Sequence, residues 1–499
     1  MIENLEVELK LKLLDSGLYD SLICNTEMFK PSELKVARIE EYETTYFDTN
    51  CNELSKAGLT YRIRKAKGGY TATIKNFGSK EGGLHSRNEW NREIAGPEPD
   101  LKVFSDLEIG PQLEKVIDCK PLEPIFLTSF KRNIINYTSE DGSIIELGAD
   151  LGEIISGDKS EPICEIELEL KAGEVSQLLK LGAKLSSFYP LMLDEKSKFE
   201  RGMVLSGLYQ EVEQKMEKLE LHKNRKTKSQ MEECLRFCLM KTIKAQESFL
   251  KHPEHIETVH AFRVSLRRFR SLLSFCKPLL YQQEYQSLQD SLGSLEQKFS
   301  SLRELDVLLE EWKTIVSNNE QQFGSETVLG NILEIERDEE KLRLIQFISQ
   351  GKSTSVLLNA WAWLMEKPFK QASEAECTME CFTEKRIKNW IKQINKDSIS
   401  FEQYDEAAFH TFRIRYKKLR YVLEITAPIL EHRYKKLLEY SKNLQDLLGN
   451  ICDTGRNVSA VRAIITNKSD LTLNFEAGIF IGYQLNKAEI LYKELLSNY

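Results

Sequence analysis

The sequence predicts an α+β protein of several domains, an antiparallel β half followed by an all-α half. From Leu5 to Leu13 the run LEVELKLKL alternates strictly, which puts Glu6, Glu8, Lys10 and Lys12 on one face of a strand and leucine or valine on the other. Further period-two segments run from Leu59 to Lys65, Tyr70 to Lys75, Phe126 to Tyr137, Ser143 to Leu147 and Ile163 to Lys171, separated by turn signals such as Lys67-Gly68-Gly69, Glu81-Gly82-Gly83 and Asp141-Gly142. After Gly207 the texture changes: glycine and proline become rare, and Leu, Lys, Glu and Gln recur at helical spacing, as in Gln210 to Leu221 and Gln230 to Leu250. Residues 1–205 are therefore expected to be mostly antiparallel β, with helices around Asp100 to Ile117 and Ala172 to Leu181. A helical linker is expected over 206–224, with the polar stretch His222 to Gln230 as the hinge, and an all-α domain over 225–499.

Composition narrows the class. A chain of 499 residues is too long for one small core. Its 41% hydrophobic and 29% charged residues fit packed globular structure and exclude low-complexity and collagen-like classes. No uncharged apolar run reaches the roughly 18–20 residues of a membrane span, and the stretch Ser355 to Met365 is closed by Glu366. Met1 to Lys12 lacks the basic start and apolar middle of a secretory signal, and ten cysteines are scattered over the chain, so reduced thiols in a cytoplasm are expected. The pairs Cys234/Cys238 and Cys377/Cys381 have helical spacing but no histidine at zinc-ligand distance in sequence, and read as helix packing. A net charge of -8 argues against general nucleic-acid binding, and no membrane partner is expected.

The charged strand faces carry the chemistry. Glu6 and Glu8 share a face with Lys10, and the strand Cys164 to Leu170 again sets three carboxylates, Glu165, Glu167 and Glu169, opposite apolar residues. Carboxylate oxygens suit a hard divalent ion, Mg²⁺ or Mn²⁺. Cations with the same alternation are Arg62 and Arg64, Lys75 and Arg132, with Lys198 and Arg201 in SKFERG read as a further strand. Guanidinium forks and ammonium charges recognise phosphate oxygens. A sheet closed into a barrel with these faces inward makes a polar tunnel.

Glu6-Val7-Glu8-Leu9-Lys10 resembles the ExExK signature of the CYTH domain, the family of triphosphate tunnel metalloenzymes. Further matches follow in order: Tyr46-Phe47-Asp48-Thr49, Leu54, Gly58, Arg62-Ile63-Arg64, Thr73-Ile74-Lys75, Arg87-Asn88-Glu89-Trp90, Arg132, Glu146 with Asp150, the EIELEL strand and SKFERG. The resemblance implies an eight-stranded antiparallel tunnel that binds inorganic triphosphate and hydrolyses it to diphosphate and phosphate. It implies metal ligands Glu6, Glu8, Glu165 and Glu167, with Glu169 a further candidate, and phosphate-binding residues Lys10, Arg62, Arg64, Lys75, Arg132, Lys198 and Arg201. Glu6, Glu8 and Lys10 are the implied catalytic core. The general base stays open between a carboxylate of the acidic strands and Asp150 at the tunnel mouth, for which a structural turn role is the alternative. Because a tunnel recognises the triphosphate and not the organic part, hydrolysis of nucleoside or thiamine triphosphate, a tunnel-type adenylyl cyclase and an inactive polyphosphate-binding scaffold are the competing readings.

The α half contains an internal repeat, placed around 225–375 and 376–499. His260, Arg263, Arg267 and Arg270 lie at offsets 0, 3, 7 and 10, and His410, Arg413, Lys417 and Arg420 lie at the same offsets. On a helix each set spans about 80° and forms one basic stripe. The apolar positions Phe262/Phe412, Val264/Ile414, Phe269/Leu419 and Leu273/Leu423 repeat too, and Leu288 to Gly293 (LQDSLG) is echoed by Leu444 to Gly449 (LQDLLG). Two pseudo-symmetric helical bundles are expected, their stripes turned toward a shared groove. The segments Val259 to Arg270 and Phe409 to Tyr421 resemble the CHAD domain, the conserved-histidine α-helical domain, as do Arg303/Asp306 and Asp453. That resemblance implies binding of inorganic polyphosphate by the stripes, with Arg268, Arg415 and Lys418 beside them.

Overall fold

The computed structural model describes residues 4–24, 29, 34–118, 120–210, 219–319, 323, 326–370, 373–396, 406–430, 434–466 and 469–498. The stretch 211–218, on which the helical reading of the linker and of Gln210 to Leu221 chiefly falls, lies outside the described residues. The chain forms two compact units, one of residues 1–216 with 347–366 and the other of residues 217–346 with 367–499.

The first unit runs β1 (Leu5–Leu13), α1 (Tyr19–Cys24), β2 (Leu34–Asp48), α2 (Glu53–Lys56), β3 (Leu59–Ala66), β4 (Gly69–Asn76), β5 (Ser79–Glu81), β6 (Leu84–Ile94), α3 (Gly110–Ile117), β7 (Glu123–Thr138), β8 (Ile144–Ser156), β9 (Lys159–Ala172), α4 (Val175–Phe188), β10 (Leu191–Leu193) and α5 (Lys198–Leu205). Hydrogen bonding orders the strands β1-β9-β8-β7-β2-β3-β4-β6, and β6 pairs again with β1, so eight antiparallel strands close into a barrel with β10 and β5 appended. Alternation decides what each face meets. On β1, Leu9 and Leu11 are fully buried on the outer face, and α4 approaches so closely that a Cβ on Gly182 would lie 2.6 Å from Leu9 Cδ2. The outer faces of β3, β4 and β6 bury Tyr61, Ile63, Ile74 and Trp90 against Phe104 and the α3 residues Leu113 and Ile117.

The second unit follows as α6 (Thr227–Lys251), α7 (Ile256–Cys276), α8 (Gln282–Lys298), α9 (Ser300–Ser317) and α10 (Val328–Ser349). The chain then passes through α11 (Lys352–Met365), α12 (Ser373–Glu376), α13 (Met379–Lys396), α14 (Glu406–Leu430), α15 (Lys435–Ile465) and α16 (Leu471–Asn498). Helix α11 carries the apolar run Ser355 to Met365 and belongs with the barrel unit, where Leu358 lies 3.3 Å from a Cβ built on Gly182. No described helix is long and apolar enough to cross a membrane.

The structure corrects two expectations. Lys198 and Arg201 stand on helix α5, not on a strand: Ser197 accepts from the Glu200 backbone and the Glu200 carboxylate accepts from the Ser197 backbone, a capping box that starts the helix. Asp150 is neither at a mouth nor in a turn. It sits within β8, paired with Arg132 on β7 and Glu165 on β9, and is fully buried.

Candidate functional site

The charged faces point into the barrel and are buried there. In-register neighbours across the wall include Glu6 with Arg87, Glu8 with His85, Lys10 with Glu167, Arg132 with Asp150, Asp150 with Glu165, Arg62 with Tyr46 and Lys75 with Glu89. Directly opposed residues on neighbouring strands share a face, so sheet register alone assembles the site.

The acidic side is a cluster of Asp150, Glu165 and Glu167, each with a carboxylate oxygen within 4.8 Å of the others. The Lys198 ammonium donates to Asp150 Oδ2 at 2.7 Å, to Glu167 Oε1 at 2.8 Å and to Glu165, so one cation already bridges all three. Arg132 clamps Asp150 through Nε at 2.6 Å and through a second nitrogen at 2.5 Å, and also binds Glu167. A Cβ on Gly148 would lie 3.2 Å from that guanidinium, which explains a residue without a side chain at this inward position. Lys10, 1% exposed, reaches Glu165 at 3.1 Å, and Arg201 reaches the same carboxylate at 3.0 Å. Burial works against ionisation of Glu165, and Lys10 and Lys198 outweigh it, holding the carboxyl below the usual range.

Glu6 and Glu8, expected beside Glu165 and Glu167, have other partners. Lys75 donates to Glu6 at 2.7 Å and to Glu89 at 2.5 Å, and Arg87 donates to Glu6 at 3.0 Å and to Glu8. Burial pushes the Glu8 carboxyl up to about 7 despite Arg87. The third wall has the opposite character. Arg64 is half-buried with no carboxylate partner among the described residues: Nε donates to Thr44 Oγ1 at 3.3 Å and the guanidinium lies 4.4 Å from the centre of the Tyr42 ring. Burial, then Arg62 and Arg132, push its pKa down to about 10. Arg62 has Glu89 at 3.7 Å and the Tyr46 phenol beside it, and its buried Nε has no hydrogen-bond partner. Against the upward push of burial, Arg62 and Arg64 draw the Tyr46 phenol below its ordinary range.

In the helical unit α7 and α14 pack together and bring the two stripes to one place. Arg263 donates to Ser300 Oγ at 3.2 Å, Arg267 to Glu296 at 2.6 Å, and Arg270 to Glu296 and, at 3.3 Å, to Gln289. Arg413 lies 3.5 Å from Asp453, and Arg420 lies 3.4 Å from Glu424 and 3.9 Å from Asp446. His260 is half-buried, and burial, then Arg303, lowers its pKa; His410 is exposed. Asp306 serves a structural pair with Arg337 at 2.8 Å. The LQDxLG echo does not mark equivalent places. A Cβ on Gly293 would crowd Arg270 at 2.9 Å, whereas Gly449 lies beside Arg413. Helix α15 runs unbroken where the first copy stops α8 and restarts as α9, which shifts the motif along the stripe.

Residues 4–203 match the CYTH domain family and residues 233–457 match the CHAD domain family. The chain joins a CYTH domain to a CHAD domain. An inorganic triphosphatase of Haemophilus influenzae is 34% identical over 164 residues, 33% of this chain and 45% of that protein, so the chain matches less than half of that relative's length. Among solved structures, a Hippeastrum protein described as an adenylyl cyclase with dominant triphosphatase activity aligns at 19% identity and a TM-score of 0.31, over 41% of this chain and 97% of its own. The CHAD domain of Ricinus communis aligns at 19% identity and a TM-score of 0.45, over 55% of this chain and 93% of its own.

Four tunnel residues had no role assigned from the CYTH domain's sequence: His85, Arg87 and Glu89 on β6, and Tyr46 on β2. Period two puts His85, Arg87 and Glu89 on one face of β6, and the register against β1 and β4 turns that face into the tunnel. His85 is 4% exposed; burial, then Lys10 and Arg87, hold its imidazole down to about 3, and Nε2 has no hydrogen-bond partner.

Proposed function

We propose that the CYTH domain hydrolyses inorganic triphosphate to diphosphate and phosphate with Mg²⁺ or Mn²⁺, and that the CHAD domain binds inorganic polyphosphate. The observation that carries the tunnel reading is the opposition of two inward-facing walls, the carboxylates Asp150, Glu165 and Glu167 against the half-buried Arg62 and Arg64, whose guanidinium groups have almost no carboxylate of their own. A linear triphosphate supplies the missing negative charge, and no organic moiety is needed to explain the lining.

The carboxylate cluster fits a hard divalent cation: the donors are all oxygens, and the Lys198 ammonium occupies the point where all three converge. Glu165 and Glu167, with Asp150, would hold the cation, and Glu6 and Glu8 would complete the set from β1. When bound, the cation neutralises phosphate charge and polarises phosphate oxygens. Arg62, Arg64 and Lys75 grip the chain of phosphates, while Lys10, Arg132, Lys198 and Arg201 hold the carboxylates and take up further phosphate oxygens. Water adds to the terminal phosphorus in line with the breaking bond to the bridging oxygen, which leaves with the diphosphate. A cytoplasmic setting belongs to this reading and is supported by the free cysteines among the described residues.

Product analysis on a panel of inorganic triphosphate, ATP and thiamine triphosphate tests it. Inorganic triphosphate should be the best substrate, yielding equimolar phosphate and diphosphate. A preference for ATP or thiamine triphosphate, a cyclic nucleotide product, or binding of polyphosphate without turnover of any of the three would replace this reading with the corresponding alternative.

A further inference from the structure

We propose that the two basic stripes of the CHAD domain are unequal: Glu296 acts as an internal counter-ion for Arg267 and Arg270, and the second stripe, centred on Lys417, carries most of the affinity for polyphosphate. This rests on the polyphosphate reading above and adds which residues set its strength.

Glu296 is 15% exposed and is shared by two arginines of the first stripe, Arg267 through Nε at 2.6 Å and Arg270 through a terminal nitrogen. Against burial, these two hold its carboxyl below the usual range. The first stripe is thus partly neutralised from within. In the second copy the matching arginine, Arg420, has Glu424 of its own helix at 3.4 Å and Asp446, one methylene shorter than Glu296 and 54% exposed, only at 3.9 Å. The carboxylate facing Arg413 stands 3.5 Å away, at the limit of a hydrogen bond, and the Nε atoms of Arg413 and Arg420 are buried without a hydrogen-bond partner, as in the first stripe only that of Arg263 is.

Lys417 occupies the position that Arg267 holds in the first stripe. No described residue gives it a carboxylate partner, and Arg267, Arg413, Arg263 and Arg420 surround it. Burial and then these neighbours push its ammonium down to about 6. Lys417 without an acid, beside Arg413 and Arg420 whose carboxylates stand 3.4–3.9 Å away, leaves this stripe short of negative charge that a multivalent anion supplies. A linear polyphosphate places successive phosphate oxygens along such a row, and on the first stripe those oxygens compete with Glu296 for the same N–H groups.

The test is binding of a fluorescently labelled polyphosphate of defined length to the full chain, over a salt series, for the wild type and for Lys417→Gln, Arg267→Gln and Glu296→Gln. Lys417→Gln should weaken binding by about tenfold or more and Arg267→Gln by about threefold or less. Glu296→Gln, nearly isosteric but uncharged and with one acceptor oxygen in place of two, should tighten binding by about fivefold and steepen the salt dependence by about one released counterion, a gain that a folding defect does not produce. Equal losses for Lys417→Gln and Arg267→Gln, with no gain for Glu296→Gln, would overturn the asymmetry while leaving polyphosphate binding in place. Absence of binding by the wild type would overturn the polyphosphate reading itself.

Discussion

At the scale of single residues, pairing decides what each charge is free to do. Lys10, Lys198 and Arg132 are committed to carboxylates, whereas Arg64 lies against Tyr42 and Thr44 and is repelled by Arg62 and Arg132. Arg64→Ala is therefore expected to lower kcat/KM for triphosphate by about 100-fold, as for loss of one preorganised charge-stabilising donor; steady-state kinetics showing a loss under about threefold would remove Arg64 from the substrate's grip. Lys417 makes a second prediction. It faces Arg263 and Arg267 on α7 and Arg413 and Arg420 on its own helix, while the α15 carboxylates Asp446 and Asp453 lie against Arg420 and Arg413. Its pKa falls from an ordinary 10.5 to about 6 on folding, so between those values the unfolded chain binds the extra proton and this group's contribution to stability rises with pH. An arriving polyanion restores the charged form. Calorimetry in buffers of different ionisation enthalpy near pH 8 should detect uptake of about one proton per chain on polyphosphate binding, absent in Lys417→Gln.

At the scale of elements, legibility followed how cleanly each face separated. Strands β1, β3, β4, β7, β8 and β9 could be read because charged inward residues alternate with apolar outward ones. Strand β2 escaped that reading because its pattern is inverted: Ile39 is 49% exposed while Tyr42, Thr44, Tyr46 and Asp48 are buried. Strand β6, LHSRNEWNREI, is polar on both faces, and only its register against β1 and β4 shows which side chains enter the tunnel. Helix α5 differs from the strand expected of SKFERG, and Ser197 and Glu200 stand at capping-box spacing; one helical turn puts Lys198 and Arg201 on the same side, as alternation would not. Ser197→Ala should cost about 1 kcal/mol, the usual worth of such a cap, and loosen both cations. Thermal unfolding together with kcat for triphosphate checks this; an unchanged melting temperature would mean that the cap does not hold α5.

At the scale of the whole molecule, the sequence placed a β half before an α half but did not reveal that α11 leaves the helical unit for the barrel unit. The apolar run Ser355 to Met365 was visible; its partner, the close-packed surface around Gly182 on α4, depends on tertiary approach that periodicity does not encode. Leu358 is fully buried there, so Leu358→Ala should destabilise the barrel unit by about 2–5 kcal/mol even though the residue lies more than 150 positions beyond the last barrel strand. Loss of triphosphate turnover on mild heating would report it, and wild-type heat resistance would contradict it. The most direct test of the central claim is phosphate release from inorganic triphosphate by the wild type and by Glu165→Gln/Glu167→Gln, with Mg²⁺ or Mn²⁺ and with chelator. The two-walled tunnel predicts turnover only in the wild type with cation, and comparable turnover by the variant or in chelator would contradict it.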